Sequence, residues 1–250
     1  MIDDRIADRR AQVRDEGRRK RLRRTVTVVL VVCAVIVVAA VERSALVGLE
    51  EIEVAGTERL AADAVLEAAG LELGTSTVRL GLGSVEERVT DLPLVREASA
   101  RRVDPLTVRI TVTERQPVLV VVGDGEPRLI DRDGVVIVDG DLDELARVMI
   151  GDAPPAVGAS VTDDAALANA HRAWRGLSGP LRSQVERYEA RSADDLSLQL
   201  DSGIEVRFGR ADRIDEKVRA LGVVLADVGT TPIEVIDVRA PSAPVVVGGP

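Results

Sequence analysis

The chain has 250 residues, with 33 Lys and Arg against 42 Asp and Glu, so its formal net charge is −9. A single Cys cannot form an intramolecular disulfide, and one Cys with one His cannot supply the ligands of a structural zinc site. The acidic balance and the low content of aromatic side chains (one Trp, one Tyr and one Phe) argue against a nucleic-acid partner.

The charge is divided unevenly along the chain. Residues 1–24 hold ten basic and five acidic side chains, a net charge of +5, and residues 25–41 hold no charge. Residues 42–250 therefore carry a net charge of −14. This division predicts three segments, which are a basic tail, an apolar segment and an acidic body.

The apolar segment 25–41 is long enough to be a membrane anchor. Its 17 residues, eleven of them Val, Ile or Leu, would form a helix of about 25 Å, at the short end of the range that spans a bilayer. A cleaved signal peptide is the alternative, but its apolar run is shorter and ends at a small-residue cleavage site, whereas this one ends at Val41–Glu42–Arg43. We therefore predict an uncleaved, single-pass transmembrane helix.

The orientation of this anchor follows from the basic tail, residues 1–24. Lys and Arg residues accumulate on the cytoplasmic side of membrane helices, so the N-terminus is expected in the cytoplasm and the acidic body outside it. The tail needs no role beyond this topology signal and an attraction to anionic lipid headgroups.

The beginning of the acidic body predicts a small domain over residues 47–116, of order β-α-α-β-β. Leu60–Ala69 has one apolar face and is expected to be a helix that stops at Gly70. A second helix is expected to begin at Ser84, whose hydroxyl would form a capping box with Glu87.

Strands are expected on both sides of these helices. Ile52 and Val54 alternate with glutamates in a first strand, and residues 95–103 and 106–114 predict two more, joined by a turn at Asp104–Pro105. One face of the last strand is polar, and its apolar face consists of Val108, Ile110 and Val112.

Four short motifs of this domain are specific when taken together. They are Ile52-x-Val54-x-Gly56, Leu92-Pro93-x-Val95-x-x-Ala98, Arg102-x-x-Pro105 and Val108-x-Ile110-x-Val112-x-Glu114-Arg115-x-Pro117. This run resembles the POTRA domain of the bacterial cell-division family FtsQ, also called DivIB. Within it, Glu114 and Arg115 are expected to have a structural role rather than to contact a partner.

Residues 117–250 predict a β-rich domain with covering helices. Leu129–Val135 is expected to be a hairpin with Asp-Gly at its turn. The run Asp131-x-Asp133-Gly134 invites comparison with a calcium loop, but it lacks the later acid and the terminal Glu of an EF-hand, so a turn is the better interpretation.

A helix is expected to begin with Thr162 as its cap and to end near Leu177. His171 lies beside the apolar stripe of this helix, where a lone His is more often a packing or surface residue than a ligand or base. Without a second His, a Cys partner or a nucleophile turn, no catalytic triad can be assembled, and no pair of carboxylates stands out. The residues therefore indicate no recognisable catalytic site, and no cofactor or metal site is expected.

The rest of this domain predicts strands around one more helix, which has Ile214, Val218, Leu221 and Leu225 on one face. The expected strands are 184–190, 196–200, 204–208 and 233–239, and Val245–Val247 follow an interruption at 241–244. Three motifs here resemble the second domain of the same FtsQ/DivIB family. They are Leu198-x-Leu200-Asp201-Ser202-Gly203-Ile204-x-Val206-x-Phe208-Gly209, Glu216-Lys217-Val218-x-x-Leu221 and Ile236-Asp237-Val238-Arg239-x-Pro241.

The resemblance implies a non-enzymatic, single-pass scaffold of the divisome, located in the cell membrane at the septum. It would connect division proteins and regulate septal peptidoglycan synthesis, with FtsB-like and FtsL-like proteins as partners and without a small-molecule substrate. In this family, a strand of FtsB adds to the free edge of the C-terminal sheet. The matching positions here are Ala240, Ser242, Ala243, Val245, Val246 and Val247.

Two prolines would interrupt strand pairing at these positions, namely Pro241 and Pro244. They leave Val245–Val247 as the expected docking segment, although the same residues would also fit an unpaired tail.

Two other classes of function stay open at this stage. One is a membrane-anchored cell-wall hydrolase that uses an unrecognised pair of carboxylates. The other is a POTRA-type chaperone for secretion or assembly, although such proteins usually carry tandem POTRA units and the sequence predicts one.

Overall fold

The computed structural model describes residues 23–36, 48–77, 80–227 and 233–248. These residues form helix α1 (residues 23–36) and two units that each combine helices with a β-sheet. The predicted α+β class is confirmed for both units. The predicted basic tail, 1–24, lies outside the described residues apart from its last two positions.

Helix α1 is the part of the predicted anchor 25–41 that the structure describes, and its side chains are exposed. Among the described residues, no helix combines the length and the apolar character that a bilayer crossing requires. Residues 37–41 of the predicted anchor lie outside the described ranges. The transmembrane helix therefore stays a prediction.

The first unit follows the predicted order β-α-α-β-β. Its elements are β1 (Glu51–Ala55), α2 (Ala62–Ala69), α3 (Leu82–Thr90), β2 (Val95–Arg102) and β3 (Thr107–Glu114). β3 lies in the centre of the sheet, parallel to β1 and antiparallel to β2. As predicted, its apolar face is buried, and it forms one core with the inner faces of α2 and α3: Val108, Ile110, Val112, Val65, Ala69, Val85 and Val89.

The ends of the two helices in this unit differ in how well the sequence predicts them. α2 ends at Gly70, as predicted, and Gly70 has the left-handed conformation (φ +58°) that favours glycine. α3 begins at Leu82, so the predicted capping box of Ser84 and Glu87 is wrong. Because the helix begins earlier than expected, Ser84 lies inside its first turn, where its hydroxyl donates a 2.7 Å hydrogen bond to the Gly81 carbonyl.

The second unit is a nine-stranded mixed sheet with helices on one face. Its strands are β4 (Pro117–Val122), β5 (Arg128–Asp131), β6 (Val136–Asp139), β7 (Arg147–Ile150), β8 (Val185–Ala190), β9 (Leu196–Leu200), β10 (Glu205–Arg207), β11 (Ile233–Asp237) and β12 (Val245–Gly248). Its helices are α4 (Ala165–Gly176), α5 (Gly179–Arg182) and α6 (Ile214–Asp227). The spatial order of the strands is β12-β11-β10-β9-β8-β7-β4-β5-β6.

The parallel strand pairs explain why α4 and α6 share a face of this sheet. α4 connects β7 to β8, and α6 lies in the connection from β10 to β11, and both pairs are parallel. Such crossovers are almost always right-handed. The two helices contact each other and cover a core that contains all three aromatic residues of the chain, Trp174, Tyr188 and Phe208.

The start of α4 differs from the sequence prediction. Asp164 is its N-cap, and the Asp164 carboxylate accepts a 2.8 Å hydrogen bond from the Leu167 amide. The predicted cap, Thr162, lies instead in a short 3-10 helix, Val161–Asp163. In that turn Ser160 and Asp163 form a reciprocal capping box, so two capping motifs follow each other closely and the sequence prediction chose a residue between them.

The loop Phe208–Asp212, which follows β10, ties α4 and α6 to the sheet; we call it the carbonyl loop. Buried Lys217 of α6 donates hydrogen bonds to the carbonyls of Phe208 (3.0 Å) and Arg210 (2.6 Å) and pairs with the Asp212 carboxylate at 3.1 Å. Its hydrogen bond and charge lower the pKa of Asp212. Three polar groups thus surround one buried ammonium, which is the condition under which a charge is tolerated in a protein interior.

Buried Asn169 of α4 binds the middle of the same loop. Its amide nitrogen donates to the Gly209 carbonyl (3.0 Å), and its amide oxygen accepts from the Ala211 amide (2.6 Å). Gly209 has a φ of +68°, and a Cβ there would lie 3.0 Å from the Arg239 side chain. The glycine therefore permits both the turn of the backbone and the close approach of Arg239.

We expect the substitution Lys217→Met to destabilise the domain by about 1–3 kcal/mol, because it leaves buried carbonyl acceptors without a donor. Methionine keeps the apolar stem, so the loss reports on the ammonium group. The free energy of unfolding is measured by urea titration.

The matched control for this variant is Arg219→Met, on the exposed side of the same helix. It is expected to change stability by no more than about 0.5 kcal/mol. Equal unfolding free energies for the two variants would contradict the role of Lys217 as the tie between α6 and the carbonyl loop.

Candidate functional site

The predicted partner-binding residues lie at one end of the nine-stranded sheet, where β12 is the outermost strand. β12 pairs with β11 in antiparallel register, with Val246 opposite Ile236. Val245–Val247 therefore form a paired strand, and the alternative of an unpaired tail is wrong. No described strand pairs with the outer side of β12. Its backbone groups on that side are available to an added strand.

The other predicted residues lie in the connection that leads to β12. Ala240, Ser242 and Ala243 are exposed, and the Ala243 amide donates a 3.0 Å hydrogen bond to the Ala240 carbonyl in a tight turn. Pro241 is buried in this turn, and Pro244 directly precedes the strand. The structure thus brings all six predicted residues to one edge, but only the three valines belong to the strand itself.

The two faces of β12 have different surroundings. Cross-strand partners lie on the same face, so Val246 lies on the helix-covered face with Ile236, which is fully buried. Val245 and Val247 lie on the opposite face, which no helix of the described residues covers, beside Asp237 and Val235. The three valine side chains are 44–57 % exposed, which is unusual for a contiguous apolar run in a folded domain.

A groove runs beside this edge on the helix-covered face; we call it the α6 groove. Its volume is about 380 Å³, and its lining residues are Glu216, Arg219, Ala220, Val223, Pro241, Ser242 and Pro244. Val223 is 70 % exposed, so the groove presents apolar surface between charged rims. A strand added to β12 would pair its backbone with the edge and direct alternate side chains toward the groove.

The exposed Arg239 side chain adds an ionic group at the end of β11. It donates hydrogen bonds to both carboxylate oxygens of Asp237, and these bonds lower the pKa of the Asp237 carboxyl. One N–H edge of the Arg239 guanidinium is therefore engaged within the chain, by Asp237.

Glu114 is buried, and its role is structural, as predicted. Its carboxylate accepts hydrogen bonds from three consecutive backbone amides, those of Glu58 (2.7 Å), Arg59 (3.0 Å) and Leu60 (2.9 Å). Burial alone would raise the pKa of Glu114, but the three amide hydrogen bonds and the nearby charge of Arg59 outweigh it, so the pKa lies below its ordinary value. Glu114 thus holds the segment that leads into α2.

Arg115 joins the two domains. Its guanidinium lies 2.7 Å from the buried carboxylate of Asp131 and donates a 3.1 Å hydrogen bond to the Val95 carbonyl. Arg96 adds a 3.2 Å ion pair with Asp133. The partner of Arg115 is not predictable from the sequence, because an ion pair between separate elements has no signature in local spacing.

The Asp131-x-Asp133-Gly134 run is a turn, as predicted. The other carboxylate oxygen of Asp131 accepts hydrogen bonds from the amides of Asp133 (3.0 Å) and Val135 (2.8 Å). Backbone amides and Arg115 engage Asp131, and Arg96 and Arg115 engage Asp133.

His171 is buried, consistent with the predicted packing role. Its ring stacks against Trp174 with a centroid distance of 5.8 Å. Burial, together with the positive charge of Arg175, lowers the pKa of His171 below its ordinary value.

Comparison with protein families divides the chain at the same place as the structure does. Residues 47–115 match the family description "POTRA domain, FtsQ-type", and residues 118–239 match "Cell division protein FtsQ/DivIB, C-terminal". The "Cell division protein FtsQ" of Mycobacterium tuberculosis (strain H37Rv) is 31 % identical over 221 residues, which are 88 % of this chain and 67 % of that protein. The chain belongs to the FtsQ family of cell-division proteins.

Other FtsQ proteins show how much of the family's length the match includes. FtsQ of Mycobacterium leprae is 33 % identical over 196 residues, 78 % of this chain and 54 % of that protein. FtsQ of Caulobacter vibrioides is 29 % identical over 195 residues, 76 % of this chain and 64 % of that protein. The chain thus spans little more than half the length of some FtsQ relatives that it matches.

The C-terminal family match does not include the sheet edge at β12. The C-terminal family match ends at residue 239, so the six predicted partner-binding residues, Ala240 to Val247, lie beyond it. The POTRA match ends at Arg115, the residue that binds Asp131 across the domain junction.

We expect Glu114→Gln to destabilise this FtsQ-family protein by about 1–3 kcal/mol at pH 7, because the amide cannot replace a charged acceptor of three N–H groups. A carboxyl whose pKa is lowered in the folded state stabilises the fold above its ordinary pKa, and this contribution is lost as the pH falls through the folded-state pKa. The stability difference between wild type and variant should therefore shrink below about pH 4.5.

This pH dependence is measured by urea unfolding between pH 7 and pH 3. Glu97→Gln, an exposed glutamate on the same sheet, is the control and should show no such dependence. A stability difference that stays constant over the whole pH range would contradict the role of the Glu114 charge.

Proposed function

We propose that this FtsQ-family protein is a bitopic scaffold of the divisome. It links FtsB-like and FtsL-like division proteins at the septum and thereby takes part in the control of septal peptidoglycan synthesis. The observation that carries the proposal is the free edge of β12, which lies beside the α6 groove. Ala240, Ser242, Ala243 and Val245–Val247 are its proposed partner-binding residues.

The physical argument for this edge is that a partner strand satisfies it in two ways at once. Unpaired N–H and C=O groups of β12 supply backbone hydrogen bonds, and exposed Val223 and Val246 supply apolar contacts. Backbone hydrogen bonds add affinity for a partner strand of any sequence, whereas the side-chain contacts depend on the partner's sequence and select it.

The hydrogen bonding of the buried carboxylates agrees with a scaffold that has no catalytic activity. The buried carboxylates among the described residues are Glu114 and Asp131. Backbone amides engage both, and Arg115 binds the second as well. A buried carboxylate that is fully hydrogen-bonded is poorly suited to act as a general acid or base.

The proposed anchor is the segment 25–41, with the N-terminus in the cytoplasm. Its support is the charge distribution of +5 before the segment, none within it and −14 after it. The partner-binding edge would then lie outside the cytoplasm, where the extracytoplasmic parts of other single-pass proteins are accessible.

We expect Val246→Lys to weaken binding of the FtsB-like partner by at least about tenfold, or ~1.4 kcal/mol. A lysine on the outermost strand opposes strand addition and places a charge toward the α6 groove. Binding is measured with the full chain in detergent, by titration of the purified partner.

Val138→Lys is the matched control, because β6 is the strand at the opposite end of the same sheet and Val138 is 41 % exposed. It should leave partner affinity within about twofold, a difference below ~0.5 kcal/mol. Equal affinities for the two variants, with unchanged thermal unfolding, would rule out the β12 edge as the docking site.

We expect the double variant Val31→Lys and Val35→Lys to lose membrane retention. Each lysine near the centre of a membrane helix opposes insertion by about 2.5–3.5 kcal/mol. The assay is fractionation after an alkaline carbonate wash, combined with fluorescence imaging of dividing cells.

The wild-type chain should sediment with membranes and form a band at midcell during constriction. A wild-type chain that stays soluble would contradict the anchor, and one that is membrane-bound but evenly distributed would contradict the septal role. Val138→Lys again serves as the control, with an added lysine outside the anchor.

A further inference from the structure

A second surface of the C-terminal domain lies apart from the β12 edge; we call it the arginine cleft. It has a volume of about 500 Å³, and its lining residues are Val118, Arg132, Asp133, Trp174, Arg175 and Arg182. None of these residues belongs to α6, β11 or β12. The cleft opens instead beside the turn that Arg115 binds at the domain junction.

The charge of the arginine cleft is opposite to that of the domain around it. The acidic body carries −14, yet three guanidinium groups line this one cleft. Arg132 and Arg175 are exposed and form no ion pair with any described residue. The carboxylate in the lining, Asp133, is engaged by Arg96 at 3.2 Å and by Arg115 at 3.5 Å. The cleft therefore has a net positive charge that the domain does not neutralise.

Arg182 is held in place, which makes the cleft a preformed site. Its guanidinium carbon lies 4.3 Å from the centre of the Trp174 ring, and its Nη2 donates a 2.8 Å hydrogen bond to the Leu177 carbonyl. A guanidinium stacked on an aromatic ring keeps its N–H groups in a fixed plane, where they can donate to a carboxylate.

Buried polar atoms without partners cluster around the same tryptophan. Arg182 Nε, His171 Nε2 and the Tyr188 hydroxyl have no hydrogen-bond partner among the described residues. His171 stacks on Trp174, Arg182 lies over it, and the charge of Arg182 acts on the Tyr188 phenol. Of these three residues Arg182 lines the cleft, so its guanidinium has an N–H group that no described residue engages.

We propose that the arginine cleft binds carboxylate side chains of an acidic segment in a partner protein. Arg132, Arg175 and Arg182 would donate charge-assisted hydrogen bonds to those carboxylates, and Trp174 forms the wall against which the segment packs. The proposal rests on the proposed scaffold function only for the class of partner, because no residue of the cleft takes part in the β12 edge.

An acidic peptide suits the surface better than other polyanions do. A nucleic acid or an anionic membrane would extend far beyond the cleft, over a body with a net charge of −14, and would be repelled. A short segment places two or three carboxylates within the cleft and little charge outside it. The planar fork of arginine also matches carboxylate geometry.

The test uses the fluorescence of Trp174, which is the single tryptophan of the chain and lines the cleft. The full chain in detergent is titrated with an N-acetylated, C-amidated hexaglutamate peptide. We expect a saturable change in fluorescence, and we expect the double variant Arg132→Gln and Arg175→Gln to weaken binding roughly tenfold or more, because two charged donors are lost. Hexalysine should give no change.

The double variant Arg101→Gln and Arg172→Gln is the matched control, since it removes two exposed arginines outside both the cleft and the α6 groove and changes the net charge equally. It should bind hexaglutamate like the wild type, as should Val246→Lys. Equal weakening in both double variants would show an effect of net charge and would overturn the site. Displacement of hexaglutamate by inorganic phosphate at equal charge concentration would overturn the peptide in favour of a small anion.

Discussion

One buried ammonium group, that of Lys217, ties α6 to the carbonyl loop, which also holds α4. It binds two carbonyls of the carbonyl loop, and Asn169 of α4 binds the carbonyl between them. The carbonyls of three consecutive residues, Phe208 to Arg210, therefore accept hydrogen bonds from two helices. Lys217 of α6 donates to the first and third, and Asn169 of α4 donates to the second. α6 supplies part of the lining of the α6 groove, and α4 supplies part of the lining of the arginine cleft, so each surface includes a helix that this loop holds.

At the junction of the two domains, buried carboxylates take the place of the buried ammonium, and several hydrogen bonds satisfy them in the same way. Asp131 is buried because backbone amides and Arg115 satisfy its oxygens, and Glu114, the neighbour of Arg115, is buried because three amides satisfy it. Adjacent residues of one motif thus act in opposite directions: Glu114 holds the POTRA domain together, whereas Arg115 reaches the next domain. Leu94 of the POTRA domain also packs against the apolar cluster on the far face of the sheet.

The sequence was most informative where a local pattern has one physical cause. Alternation along β3 and the glycine stop of α2 were predicted correctly, because burial of one face and a left-handed backbone each leave a local signature. Helix starts were less predictable, since Ser160, Thr162 and Asp164 are all plausible caps within five residues. The Arg115–Asp131 pair, the buried Lys217 and the arginine cleft arise from contacts between distant segments, which spacing does not reveal.

The length of β12 has a consequence for self-association. The strand has four residues, with Pro244 before it, so the free edge offers few backbone hydrogen bonds. Two copies joined edge to edge would gain little from so short a ladder, which is how natural sheets discourage pairing with themselves. A partner that also fills the α6 groove adds side-chain contacts to this short ladder. The short strand therefore leaves the choice of partner to side chains rather than to the backbone.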